Sequence, residues 1–235
     1  MVLDDSTLPA LARGCSLLAA GGGGDTDLVE SMALRAFEEF GPVRVLDASE
    51  LDDEALVMPC GLIGAPTIAD ERVWSGDEGR VLVEHATELW ERPVAALMCY
   101  EIGGANGLLP VTWAARLGLP MLDADGMGRA FPEMQQQAMH LAGVRASPLI
   151  LTDGRGNSVV IRAVDNHSAE HLARAGASVF GGVCAGALYC MTAAVAAGRR
   201  SEDRSAERRD WGRRPGARTW TGSSQRWRRS SAAES

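Results

Sequence analysis

Lysine is absent from this chain, and all 23 of its basic residues are arginine. That absence removes the G-x-x-x-x-G-K-[ST] phosphate loop, whose lysine reaches the terminal phosphates of a nucleotide. Long apolar runs are missing as well, and nothing approaches the roughly 20 residues that a membrane helix needs. The opening residues, MVLDDSTLPA, carry acids where a secretory leader carries a basic region. A cytoplasmic protein without membrane association is expected. No two of the five cysteines, Cys15, Cys60, Cys99, Cys184 and Cys190, stand in C-x-x-C spacing, and no basic residue adjoins any of them. They read as buried free thiols, not as a zinc, redox or nucleophilic set.

What the chain does contain is unevenly distributed. Its 235 residues are 46% hydrophobic, enough for a core without covalent staples. The net charge of −8 hides two unlike pieces. Residues 1–198 hold 12 arginines against 26 acids, whereas residues 199–235 hold 11 against 5. From residue 201 onward there is no Val, Ile, Leu, Met, Phe or Tyr, yet three of the six tryptophans lie there. Such text buries too little apolar surface to offset its ordering entropy, so disorder is expected. Arginine and tryptophan could serve a nucleic-acid arm. The abrupt change at Gly198–Arg199, into residues that a GC-rich frame yields when shifted, favours a frameshifted end instead, and nucleic acid is not the expected partner.

Apolar residues recur at helical spacing from Leu8 to Ala20, followed by Gly21–Gly24. Asp25 is placed to cap a second helix, with Leu28, Met32, Leu34 and Phe37 on its apolar face and a stop at Gly41–Pro42. Short apolar segments follow at 43–46, 55–63, 94–100, 121–122, 149–152 and 159–164, with helical patterns at 79–90 and 106–117 between some of them. This alternation predicts an α/β fold: a largely parallel or mixed sheet with covering helices. Asp153–Asn157 (DGRGN) reads as a hairpin turn. A helix beginning near Ser168, inside an almost continuously small or apolar stretch, needs partners on more than one face that the sequence does not reveal.

Four constellations could carry chemistry. Gly21, Gly22, Gly23, Gly24 and Asp25 join two helices, and their amides could cradle an anion or carboxylate. One glycine would suffice for a tight connection, so four suggest close approach by another group. Cys60–Glu71 (CGLIGAPTIADE) ends a strand in small residues, where ligands of α/β sheets collect. Tyr100–Gly107 (YEIGGANG) leaves a strand with Glu101 beside two glycines, as a base or metal ligand, and with Asn106 as a helix N-cap. The sharpest signal is Pro120–Glu133: Asp123 and Asp125 face one way on an extended backbone, glycines open the chain, and Arg129 and Glu133 stand four apart as a pair. Carboxylates so arranged bind a divalent metal or divide acid and base work. His167–His171 matches H-x-x-E-H, but no acid occurs from Leu172 to Gly198 to complete a zinc site, and the motif reads as a helix start.

Taken in order, GGGGD at 21–25, GAPT at 64–67, EIGGANG at 101–107 and GLPMLDADGMGRAFPEMQ at 118–135 resemble the N-terminal domain of the S-methyl thiohydantoin desulfurase family. The resemblance covers about residues 8–198. It implies an α/β domain over residues 1–165, the start of a truncated second domain over 166–198, and metal-dependent removal of sulfur from a thiohydantoin or hydantoin-type ring. Asp123, Asp125 and Glu133 are then candidates for metal and acid–base roles, with Glu101 next. Arg129, Asn106, Asp25 and the Gly21–Gly24 amides would hold the substrate, and the cofactor would be a divalent metal ion. The alternatives are a non-catalytic binding subunit beside a hydantoinase or oxoprolinase, or an inactive truncated homologue; an oligomer is compatible with each.

Overall fold

A computed structural model describes residues 1–72 and 74–198. The expectation for residues 199–235 lies outside them. The strands are β1 (Val2–Leu3), β2 (Val43–Leu46), β3 (Leu56–Gly64), β4 (Val94–Cys99), β5 (Met121–Asp125), β6 (Leu149–Thr152), β7 (Ser158–Ile161), β8 (Val183–Ala187) and β9 (Met191–Thr192). The α-helices are α1 (Leu8–Ala19), α2 (Thr26–Phe40), α3 (Pro66–Glu71), α4 (Glu78–Trp90), α5 (Leu109–Leu117), α6 (Ala138–Leu141), α7 (Asn166–Val179) and α8 (Ala193–Ala196). Among the described residues no helix is long and apolar enough to cross a membrane.

The strands form one mixed sheet in the order β1-β2-β5-β4-β3-β8-β6-β7, with β9 also paired to β3. Its centre is parallel, β2 to β5 to β4 to β3, and the pairs beyond are antiparallel. The α/β class with covering helices is therefore observed. Period-two alternation divides the central strands between two cores. Leu56, Met58 and Cys60 of β3, with Leu97 and Cys99 of β4, join the core beneath α1, α2, α4 and α5. Val57 and Ile63, with Ala96 and Met98, join the core beneath α7 on the other face.

Local chemistry sets the helix ends. The Asp25 carboxylate accepts the Asp27 N–H at 2.9 Å, and Gly41, at φ 92°, closes α2 by donating its N–H to Phe37 O. Of the expected apolar face of α2, Phe37 is buried and Met32 and Leu34 pack partly buried against the core, while Leu28 is 45% exposed and Val29, Ala33 and Ala36 are buried beside them. Asp165 caps α7 by accepting the Ser168 N–H. Asn166 is buried and holds Ala146 N–H and the Tyr189 hydroxyl.

The partners of residues 168–198 that the sequence does not reveal are the sheet itself. β8 is hydrogen-bonded between β3 and β6, and the inner face of α7, Ala169, Ala173 and Ala177, packs in the same core as Leu149 and Leu151. The expected boundary at residue 165 thus falls between elements that share one sheet. Removing β8 would leave the edges of β3 and β6 with unpaired backbone groups. A chain ending at Asp165 is expected to lose the cooperative thermal transition of the 1–198 chain; a sharp transition with an unchanged midpoint would show that the sheet closes without β8.

Candidate active site

The parallel strands β3, β4 and β5 end at the same side of the sheet, and a cavity of about 470 Å³ lies there. Its walls come from Gly21–Gly24, the end of β3 with the start of α3, Tyr100–Glu101 after β4, Arg129–Met134 after β5, and Glu170 and Arg174 on α7. This is where α/β sheets place ligands, and the size suits a small molecule.

Glu101 is a buried acid of this cavity, 4% exposed. One carboxylate oxygen accepts the Asn106 amide N–H at 2.6 Å and the other accepts the Phe131 backbone N–H at 2.7 Å. Burial pushes its pKa from 4.5 up to about 7, against the lowering effect of those two hydrogen bonds, and the nearby Asp125 charge adds to the rise. Both protonation states are therefore populated at neutral pH.

Asn106 is not the expected helix cap. It lies in a 3-10 turn, Gly104–Gly107, and is itself buried. Its side-chain oxygen accepts the Leu62 N–H at 2.7 Å, and its nitrogen reaches Leu62 O, the Tyr100 hydroxyl and Glu101. Gly61 makes room for it: a Cβ there would stand 2.6 Å from the Tyr100 ring and 2.9 Å from the Asn106 oxygen. Asn106 therefore positions Glu101, and its own amide is fully engaged.

The four glycines also have a structural explanation. Gly23 has φ 77°, and a Cβ on it would overlap the Gly103 carbonyl; Gly104, at φ 69°, would in turn meet Gly23 and Gly24. The group that approaches the first glycine loop is the second one, and Ala105 N–H completes the contact by donating to Gly24 O at 3.3 Å. Gly21–Gly24 still form one wall of the cavity. Asp25 does not line it; besides capping α2, its N–H donates to Asp70.

The three carboxylates expected to hold metal are not brought together. Asp123 and Asp125 lie on β5 outside the cavity lining. Asp125 accepts the N–H groups of Ile102, Met127 and Gly128 on a single oxygen, so it fastens the Gly126–Gly128 turn to the end of β4. Burial raises its pKa despite those bonds. Glu133 stands at the cavity mouth, exposed, with its carboxylate on the Gln135 side chain at 2.6 Å. Among the described residues no three His, Cys, Asp or Glu side chains gather as metal ligands. The described residues therefore do not fit a metal centre.

Arg129 lines the mouth but does not pair with Glu133. Its guanidinium lies over the Phe131 ring at 5.4 Å and its Nε donates to Ala130 O. The backbone after β5 is not helical there, so a separation of four residues does not bring the two side chains together. Glu170, discounted with the H-x-x-E-H motif, does belong to the site. It faces inward from α7, accepts the Met134 N–H at 3.0 Å and pairs with Arg174 at 2.6 Å, while Arg174 also donates to Pro132 O. His167 and His171 are exposed. The i,i+4 spacing of Glu170 and Arg174 was the available signal. All five cysteines are free, and burial raises the thiols of Cys15, Cys184 and Cys190 to about 12, which keeps them unreactive.

Residues 6–163 match the family described as S-Me-THD-like, N-terminal domain. A crystal structure of a protein from Chromobacterium violaceum, solved by a structural genomics consortium, is similar at TM-score 0.70 and 26% identity, over 83% of this chain and 56% of that one. The chain thus spans little more than half the length of that protein. No curated protein matches it.

Two outcomes follow from the geometry. Replacing Gly23 with alanine is expected to cost about 1–3 kcal/mol in urea unfolding, since two backbones must separate; an unchanged midpoint would sink that account. Glu101 holds its proton in the folded state at pH values where the unfolded chain has lost it. Its stabilising contribution is therefore complete below pH 4.5 and is lost as pH rises through about 7, on the order of 3 kcal/mol in all. Relative to a Glu101→Gln variant, wild-type stability should fall by about that amount between pH 4.5 and pH 8; parallel pH profiles would exclude it.

Proposed function

The chain belongs to the S-Me-THD-like N-terminal domain family, and on that premise we propose that its cavity takes a thiohydantoin-type ring from which sulfur is displaced by water, with Glu101 as the acid–base group. The observation that carries the reading is Glu101 itself: a buried carboxyl in the cavity wall, held at a fixed angle by Asn106 and the Phe131 N–H, with a pKa near neutrality. A group so tuned both accepts and returns a proton at working pH.

The reaction balances on that one proton. For a ring carbon bearing an S-methyl group and doubly bonded to nitrogen, ionised Glu101 takes a proton from water as the water oxygen bonds to that carbon. The C=N electron pair moves on to nitrogen. When the C–S bond breaks, the pair returns, and protonated Glu101 delivers its proton to the departing thiolate. The products are methanethiol and the hydroxyl tautomer of the ring lactam. Arg129 at the mouth supplies the positive charge that favours anionic character on the ring during addition.

Thiol release from S-methyl thiohydantoin, followed with a thiol reagent, tests the proposal. Glu101→Gln is expected to lower kcat by about 10²–10⁴-fold and to abolish a limb near pH 7 in the wild-type rate profile. A variant that keeps the wild-type rate would remove Glu101 from the chemistry. Binding of the ring by wild type without thiol release would favour the non-catalytic binding role.

A further inference from the structure

Nearly every polar side chain on the cavity wall is engaged by the protein. Both oxygens of Glu101 and of Glu170 accept hydrogen bonds, and both ends of the Asn106 amide are used. Gln137 is different. It is 2% exposed, it lines the cavity, and its side-chain oxygen is buried with no hydrogen-bond partner. Among the described residues its amide nitrogen has no protein acceptor either.

Hydrogen bonds fix the main chain on both sides of this residue. Gln137 N–H donates to Met134 O at 3.2 Å, its carbonyl accepts the His140 N–H at 3.0 Å, and the adjoining Ala138 N–H donates to Gly126 O at 2.9 Å. Gly126 passes so close that a Cβ on it would lie 3.1 Å from the Gln137 oxygen and 2.7 Å from the Met139 methyl. An orphaned buried acceptor is costly compared with an apolar side chain of the same shape, and its presence calls for a partner.

A primary amide presents one acceptor beside one donor in a plane, and rotation of its last torsion exchanges the two ends at little steric cost. The group complementary to it is a ring N–H beside a ring C=O, the edge of a lactam or imide, which pairs through two parallel hydrogen bonds. A carboxylate or a purely cationic ligand would satisfy only one end. We propose that Gln137 is the specificity residue that reads this lactam edge, its side chain turning the closed-off oxygen toward the ring as the ring enters. The inference rests on the thiohydantoin reading of the cavity and adds a requirement to it: the ring must keep a free N–H next to a carbonyl.

Hydantoin carries that edge, and 1,3-dimethylhydantoin has the same ring with every N–H blocked. Calorimetric titration of wild-type protein is expected to show hydantoin binding at least about ten-fold more tightly than the dimethyl compound. Gln137→Met should erase that preference and, by removing the orphaned oxygen, raise the Tm of the free protein by about 2–4 °C. Equal affinity of wild type for the two rings, undetectable binding of hydantoin at millimolar concentration, or a preference that survives in Gln137→Met would each overturn the inference. Thiol release decides the reaction separately. Discrimination through Gln137 without turnover keeps this inference and removes the reaction, whereas turnover without discrimination does the reverse.

Discussion

The side-chain amide of Asn106 is the joint on which the site depends. It bonds both polar groups of Leu62 at the end of β3, meets the Tyr100 hydroxyl at the end of β4, and holds one oxygen of Glu101. β3 and β4 are paired in parallel up to Cys60 and Cys99; beyond that ladder the strands would diverge, and the amide takes over from the backbone bonds. Its oxygen can only accept and its nitrogen can only donate. An aspartate at this position could not donate to Glu101, and a leucine would orphan the Leu62 N–H. Gly61 is the steric counterpart of the same joint, since any side chain there would occupy the space of the Asn106 amide and the Tyr100 ring.

The outer frame around this joint was legible in the sequence because it obeys local rules. α1 and α2 follow from apolar spacing, the Asp25 cap and the Gly41 stop, and the six apolar segments all became strands, with ends displaced by a residue or a few. What was not legible depends on contacts distant in sequence. β8 reads VCAGA, too short and too rich in small residues to announce a central strand, and it is defined by β3 and β6 on either side. On α2 the expected Phe37, Met32 and Leu34 do join the core, but small residues decide the closest approach: Ala33 and Ala36 went inside and Leu28 stayed out.

The candidate site divides along the same line. The block from Tyr100 to Glu133 was recognised, and the structure brings both of its ends to the cavity. The internal assignment differed because helical spacing was applied to Arg129 and Glu133, where the backbone is not helical, and because a strand's alternation does not say which group its polar face meets. Asp125 was expected to face a ligand, yet three backbone N–H groups converge on it from the turn and from Ile102. The glycines of Gly21–Gly24 were expected to admit a ligand, yet the backbone of Gly103 and Gly104 fills the space that side chains would take. Gln137 carried no signal in sequence at all, for an amide becomes conspicuous only when its neighbours are known and none of them bonds to it.

Two buried glutamates share this cavity, and the difference between them argues for which one is chemical. Glu170 has the Met134 N–H on one oxygen and the Arg174 guanidinium on the other, a pairing that ties α7 to the segment 132–134. Glu101 has a backbone donor too, the Phe131 N–H, on one oxygen, but a neutral amide in place of the cation on the other. Arg129 lines the same cavity and stacks on Phe131 instead of reaching Glu101. A tether would gain from that missing charge, since an unpaired buried carboxylate is the less stable arrangement. The arrangement instead leaves Glu101 near the point where proton gain and loss are balanced, which weakens the fold above neutral pH and suits the proton-exchanging role proposed for it.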